Sequence, residues 1–157
     1  MLDYDVWLTD HNASGREVTR HLTRDGRQGE QVTYRFQSLR WRLFDLQPTA
    51  SAPINLDQSI SGSIRGRVRA DGTIDISLIT TRDVAWLWKS APGTGSTGDG
   101  GDKQFSVRPG EPVRIDLPPT RGSAAVPGPD GRLVPLKFDD VFGGHQMSLI
   151  VTVTRRL

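Results

Sequence analysis

Trp86, Trp88 and Lys89 carry the clearest binding chemistry in the chain. In an extended strand, residues two apart project to one side about 6.6–7 Å from each other. At that spacing two indoles can line a groove for a sugar chain or another polymer. Lys89 and Asp83 would add polar contacts, and the Gly/Ser/Thr-rich stretch 90–102 reads as a flexible loop able to close over a ligand. A core reading carries more weight: Val84 shares the parity of both indoles, so Val84, Trp86 and Trp88 read first as the apolar face of a buried strand.

Three histidines, His11, His21 and His145, are the other candidates. His11 and His145 fall in stretches that read as turns, beside Asp10 and Asp140. A hydrolase with a turn His/Asp site would need those turns to converge. Metal-binding spacing such as H-x-x-x-H is missing, and solvated turn histidines are the commoner case. Gly62-Ser63 and Gly95-Ser96 lack the G-x-S-x-G elbow of a serine nucleophile. Lys103 follows a glycine-rich run without the spacing of a phosphate loop, and no helix follows it. Asp99, Asp102, Asp139 and Asp140 have no ordered series of calcium ligands around them. No catalytic residue, metal site or cofactor is therefore expected. Asn12-Ala13-Ser14 matches a glycosylation sequon, a pattern short enough to arise by chance.

Arg35, Arg40, Arg42, Arg65, Arg67 and Arg69 could form a basic stripe. Their strands also carry or face Asp45 and Asp75, so a solvated sheet face is the expectation and nucleic acid is not an expected partner. Bulk charge agrees: 20 basic against 18 acidic residues leave a formal charge of +2, too balanced to imply a polyanionic partner. Lys89, Lys103 and Lys137 are the only lysines, so arginine carries the basicity. The absence of cysteine removes thiol catalysis, zinc-thiolate sites and disulfides together. No apolar run approaches the roughly 18 residues of a membrane span.

These residues are positioned by alternating strands. Between Gln58 and Thr81, Ile60, Gly62, Ile64, Gly66 and Val68 alternate with polar residues, and Ile74, Ile76 and Leu78 do so after an Ala-Asp-Gly turn. A two-residue Asp71-Gly72 loop would mix apolar and charged residues on one face. A three-residue loop with Gly72 left-handed instead pairs Val68 with Ile74, Ile64 with Leu78 and Arg67 with Asp75.

Leu2, Tyr4, Val6 and Leu8 fix the buried side of a first strand, and 10–15 reads as a turn. Arg16 to Arg24 reads as a polar edge strand, with a helix as the competing reading that Thr19 and Thr23 weigh against, followed by a 25–29 hairpin turn into Val32, Tyr34 and Phe36. Apolar parity then shifts to Leu39, Trp41 and Leu43, which predicts a bulge near Gln37-Ser38, where a strand could pass between sheets. Residues 47–56 read as loop, Val84 to Trp88 as a short strand and Phe105 to Val107 as another. A Pro109-Gly110 turn then leads into Val113 to Leu117. Residues 118–132 read as loop and 133–138 as a short strand. Gln146 to Thr154 has no charge, proline or glycine and is expected to be central.

Gly29-Glu30-Gln31-Val32 and its continuation to Phe36 echo Gly110-Glu111-Pro112-Val113 and its continuation to Leu117 as G-E-x-V-x-apolar-x-apolar. This could record duplication of a half-sandwich, but any hairpin exit looks the same, and that reading carries more weight.

Residues 1–157 thus read as one antiparallel β-sandwich of about eight to ten strands, with an open β-barrel as the alternative. The function expected is that of a non-enzymatic structural or interaction module, self-assembling or attached to a larger machine, with a protein partner or homo-oligomer. Carbohydrate or polymer binding through Trp86 and Trp88 is the first alternative. An exported bacterial protein of the periplasm or cell surface is the expected setting, although this chain shows no export signal and virion and cytoplasm stay open.

Overall fold

The computed structural model describes residues 1–11, 17–42, 54–88, 91–96, 102–118, 123–127, 132–137 and 146–157. For 17–18, 37–42, 54–57, 84–88, 91–96 and several positions in 124–136 it describes the backbone only. The described elements are strands: β1 (Leu2–His11), β2 (Glu17–Gly26), β3 (Gln31–Arg42), β4 (Ile54–Val68), β5 (Ile74–Trp88), β6 (Ala91–Ser96), β7 (Asp102–Val107), β8 (Val113–Asp116), β9 (Ser123–Pro127), β10 (Leu133–Lys137) and β11 (Gln146–Arg155). They form a four-strand sheet in the order β2-β1-β11-β8, a five-strand sheet in the order β3-β4-β5-β6 with β7 also on β5, and a separate β9-β10 pair. Every pairing is antiparallel. The two large sheets do not close into a barrel, and the β-sandwich expectation holds.

Period-2 alternation puts one face of each sheet into a shared core. Leu2, Tyr4, Val6 and Leu8 of β1 and Met147, Leu149, Val151 and Val153 of β11 pack with Ile60 and Ile64 of β4 and Ile74, Ile76 and Leu78 of β5. The β4-β5 hairpin has the three-residue register, with Val68 opposite Ile74 and Arg67 opposite Asp75. Gly72 N donates to Arg69 O at 3.0 Å and Gly72 has φ 87°, the left-handed residue that the loop requires. β11 is central, held by β1 along its whole length and by β8 at Ser148 to Val151. β2 is an edge, and the register of β3 on β4 shifts between Phe36 and Leu39 as the parity change demands. β3 stays on β4 through that bulge and does not change sheet.

Several expectations are corrected. Asp10 and His11 belong to β1, not to a turn. Val84 to Trp88 is the end of a 15-residue strand, whose polar residues Thr80 and Arg82 are buried and so continue the core face without looking apolar. Within the stretch read as loop, Ala91–Ser96 is a strand on Asp83–Trp88, because a backbone ladder forms without packing side chains and an edge strand tolerates Pro92. Ser123–Pro127, also read as loop, pairs with β10. The turns at 26–30 and 107–112 are not hairpins, for each carries the chain from one sheet to the other.

Those two crossings are alike in detail, and they are the site of the sequence echo. Gly29 (φ 81°) donates its N–H to Gly66 O, and Gly110 (φ 82°) donates to Val153 O, each at 2.8 Å. Glu30 N reaches Arg27 O at 3.0 Å and Glu111 N reaches Arg108 O at 3.1 Å. The rows beyond them match as well. Val32, Ile64, Leu78 and Lys103 lie opposite one another in one sheet as Val113, Val151, Val6 and Leu22 do in the other. Strands β3, β4, β5 and β7 thus correspond to β8, β11, β1 and β2. The chain ends meet, with Arg156 N donating to Met1 O at 2.9 Å, where the other sheet has the 70–72 hairpin loop.

At Gly62 the core leaves no room for a side chain: a Cβ there would collide with Ile79 O and lie 2.8 Å from Tyr34 Oη. The Tyr34 hydroxyl donates to Ile79 O at 2.9 Å and lies 3.0 Å from Thr80 Oγ1, and burial pushes its pKa up to about 12. Gly62→Ala is expected to lower stability by about 1–3 kcal/mol or more in urea unfolding, since rigid backbone must shift to admit the methyl. Removing Met147 to Leu157 takes the central strand from its sheet and is expected to abolish cooperative melting by circular dichroism. A sharp transition at the parent temperature would show that β11 is dispensable.

Candidate functional site

β4 and β5 run 15 residues each, against ten for β1, β2 and β11. In the matched rows, β1 ends at the counterpart of Asp83 and β11 begins at that of Ser59. Among the described residues the five-strand sheet continues for five more residue pairs, about 17 Å, as an arm; the positions that would match it, 12–16 and 141–145, lie outside the described residues. Trp86 lies in the arm, opposite Leu56, which is opposite Trp41, while Trp88 is opposite Ile54. Both tryptophan positions continue the core-side parity of Ile74 to Arg82. Their side chains lie outside the described residues, as does Lys89 altogether.

The histidines are not brought together among the described residues. Asp10 is buried in β1 with His11 beside it, and His145, Asp139, Asp140 and Asp99 lie outside the described residues, as does the 12–14 sequon. Asp102 is exposed on β7. Among the described residues, no group of three or more His, Asp or Glu could hold a metal ion. A different His/Asp pair is present: His21 Nε2 lies 3.1 Å from Asp5 Oδ1, and the His21 ring stacks on Trp7 with centroids 3.9 Å apart. The β1-β2 register creates it by setting His21 opposite Trp7, one same-face row from Asp5.

Two surface grooves of about 420 Å3 each lie among the described residues, one on each outer sheet face. The groove on the five-strand sheet is lined by Arg65, Arg67, Arg69, Asp75, Ser77 and Ser106, with Gln104 and Phe105. Asp75 accepts from Arg69 Nε at 2.7 Å and from Ser106 Oγ at 2.5 Å, and these bonds hold its carboxyl below the usual carboxylate range. Register sets Arg67 opposite Asp75 as expected, but the ion pair is made by Arg69. Arg65 reaches only the Gln31 amide at 3.4 Å, and Arg67 makes no ion pair among the described residues.

The groove on the four-strand sheet is lined by Asp3, Asp5, Thr23, Arg24, Asp25 and Arg156. Asp3 takes both Arg156 Nη2 and Arg156 Nε, the latter at 3.2 Å, which lowers its pKa. Asp25 Oδ2 is 3.9 Å from Arg156 Nη2, and Arg24 Nη1 donates to Thr23 O at 2.7 Å. The matched rows make the grooves equivalent: Arg69–Asp75 stands where Arg156–Asp3 does, Ser77 where Asp5 does and Ser106 where Asp25 does. The acidic groove was missed because its carboxylates are divided between residues 3–5 and 25.

No protein-family model matches the sequence, and no match to a curated protein was found. Among solved structures, the chain is similar to the InvG secretin domain β-barrel from the Salmonella SPI-1 injectisome NC-base. The TM-score is 0.42 at 10% sequence identity, over 99% of this chain and 63% of that chain. This chain therefore spans less than two thirds of that one.

Asp3 and Asp75 have native pKa values below their unfolded ones, so they stabilise the fold above the ordinary carboxylate range. That stability is lost as pH falls from about 3.9 through the depressed native values. The urea midpoint of the parent is expected to hold from about pH 7 to 5 and to drop below about pH 4. Asp3→Asn/Asp75→Asn should start lower at neutral pH and drop less. Parallel curves for the two proteins would show that these carboxylates do not couple to folding.

Proposed function

We propose that this protein is a non-enzymatic structural module that works in assembly with protein partners, as a component of a larger machine outside the bacterial cytoplasm. The observation that carries this reading is the arm. Beyond the last matched row among the described residues, its core-side register positions are held by Leu39, Trp41, Ile54, Leu56, Val84, Trp86 and Trp88, with Gln58 as the one polar residue, buried where the arm begins. On this reading a partner subunit contributes to the surface that covers these apolar positions. A large apolar contribution at a protein contact also suits tryptophan, the residue most enriched where binding energy concentrates.

A second reading rests on the same strand: Trp86 and Trp88, two residues apart, form a platform for a glycan or polymer, with Lys89 at its end. Single substitutions separate the readings. For Trp86→Ala and Trp88→Ala, assembly predicts near-parent melting and a native-extract mass that falls toward the 17.3 kDa of one chain. The platform predicts near-parent melting and unchanged mass, with lost retention on a glycan matrix. Burial in the fold predicts a loss of about 3–5 kcal/mol in stability. A parent protein that migrates as a single chain in its native extract would overturn the assembly reading.

A further inference from the structure

We propose that successive copies of this chain dock face to face, the acidic groove of the four-strand sheet of one copy against the basic groove of the five-strand sheet of the next. The inference rests on the assembly reading above and names the partner as a second copy.

The two outer faces are equivalent. Both carry one Arg–Asp ion pair at the same place, Arg69–Asp75 and Arg156–Asp3. Around that shared pair the faces differ in opposite senses. Arg65 and Arg67 are added on the five-strand sheet where β11 has Thr152 and Thr154. Asp5 and Asp25 are added on the four-strand sheet where β5 and β7 have Ser77 and Ser106. One groove thus holds three guanidiniums against one carboxylate, and the other holds three carboxylates against two guanidiniums. Each face also presents one large apolar side chain at the matching position next along the strand: Ile79 at 41% exposure beyond Ser77, and Trp7 at 40% beyond Asp5.

The match therefore has a direction. Laid with Trp7 near Ile79, the acidic row containing Asp5 meets the row containing Arg65, and in the next row Asp25 comes to Arg67 while Asp3 and Asp75 face each other, each held by its own arginine, Arg156 and Arg69. The groove walls are side chains standing on a sheet, so an arginine of one face can extend into the groove of the other. Arg67, with no ion pair of its own among the described residues, gains one without breaking an internal contact. Opposite potentials of this kind fix register and suppress wrong pairings. The two faces lie on opposite sides of the sandwich and are different surfaces. The contact is heterologous, and repetition yields a ring or an open stack.

Sedimentation velocity of the full chain tests this. In about 50 mM salt the parent should form species larger than one chain, and about 500 mM salt should dissolve them, because screening weakens exposed charge pairs. Arg65→Glu/Arg67→Glu makes both faces acidic, and Asp5→Arg/Asp25→Arg makes both basic. Each variant alone should stay at single-chain mass with near-parent melting, which checks that it folds. Mixed in equal amounts they should assemble again, since each acidic face then meets a basic one. A parent that is a single chain at low salt overturns the inference, as does an oligomer whose mass ignores salt and both variants. The second result leaves the assembly reading standing, as does a monomeric pure protein that migrates at high mass in its native extract. A single chain in both settings removes the two together.

Discussion

The fold depends on two backbone hydrogen bonds, from the N–H groups of Gly29 and Gly110. Each glycine occupies the left-handed region, which turns the chain sharply enough to leave one sheet and enter the other. Each then anchors the new edge strand by donating to a carbonyl of the next strand, Gly66 O or Val153 O. The consequence is positional. Once the crossings are set, β3 and β8 have fixed registers, and period-2 alternation sends Val32, Tyr34, Val113 and Ile115 inward together. Two sheets built this way come out row for row alike.

Equivalent scaffolds make the differences informative. Asp10 and Arg82 occupy corresponding inward positions, at 5% and 2% exposure, and both have interaction partners. Buried ionised groups are tolerated only when partnered, so the sandwich is polar at the end where the arm begins and apolar at the end where the chain termini meet. On the outer surfaces, solvent relaxes that constraint. There the residues around a common ion pair are opposite in charge, and serine on one sheet stands where aspartate stands on the other.

Much of the architecture was legible because burial writes itself as alternation. Ile60 to Val68 and Ile74 to Leu78 specify their hairpin register unaided, and the uncharged run from Gln146 to Thr154 announces a central strand. The crossings were not legible, because Asp25-Gly26-Arg27-Gln28-Gly29 has the composition of a hairpin turn and only the destination of the next strand tells them apart. Buried polar residues hid the full length of β5, since Thr80 and Arg82 read as outward positions. The candidate surface was half visible. Arg65, Arg67 and Arg69 announce themselves in five residues of sequence, but their acidic counterpart exists only after β1 and β2 pair. The His21–Asp5 contact was hidden for the same reason.

The matched ion pairs also imply an order of events in folding. Arg69 and Asp75 are six residues apart, whereas Arg156 and Asp3 are 153 apart. Closing the longer loop costs about 3 kcal/mol more in chain entropy for the same contact. The five-strand sheet therefore has a local nucleus in the β4-β5 hairpin, and the four-strand sheet has none across β1 and β11. Contacts of high sequence separation form slowly. The β4-β5 hairpin can therefore close at lower entropic cost than the pairing of β1 with β11. The four-strand sheet then stays without its central strand until β11 joins it.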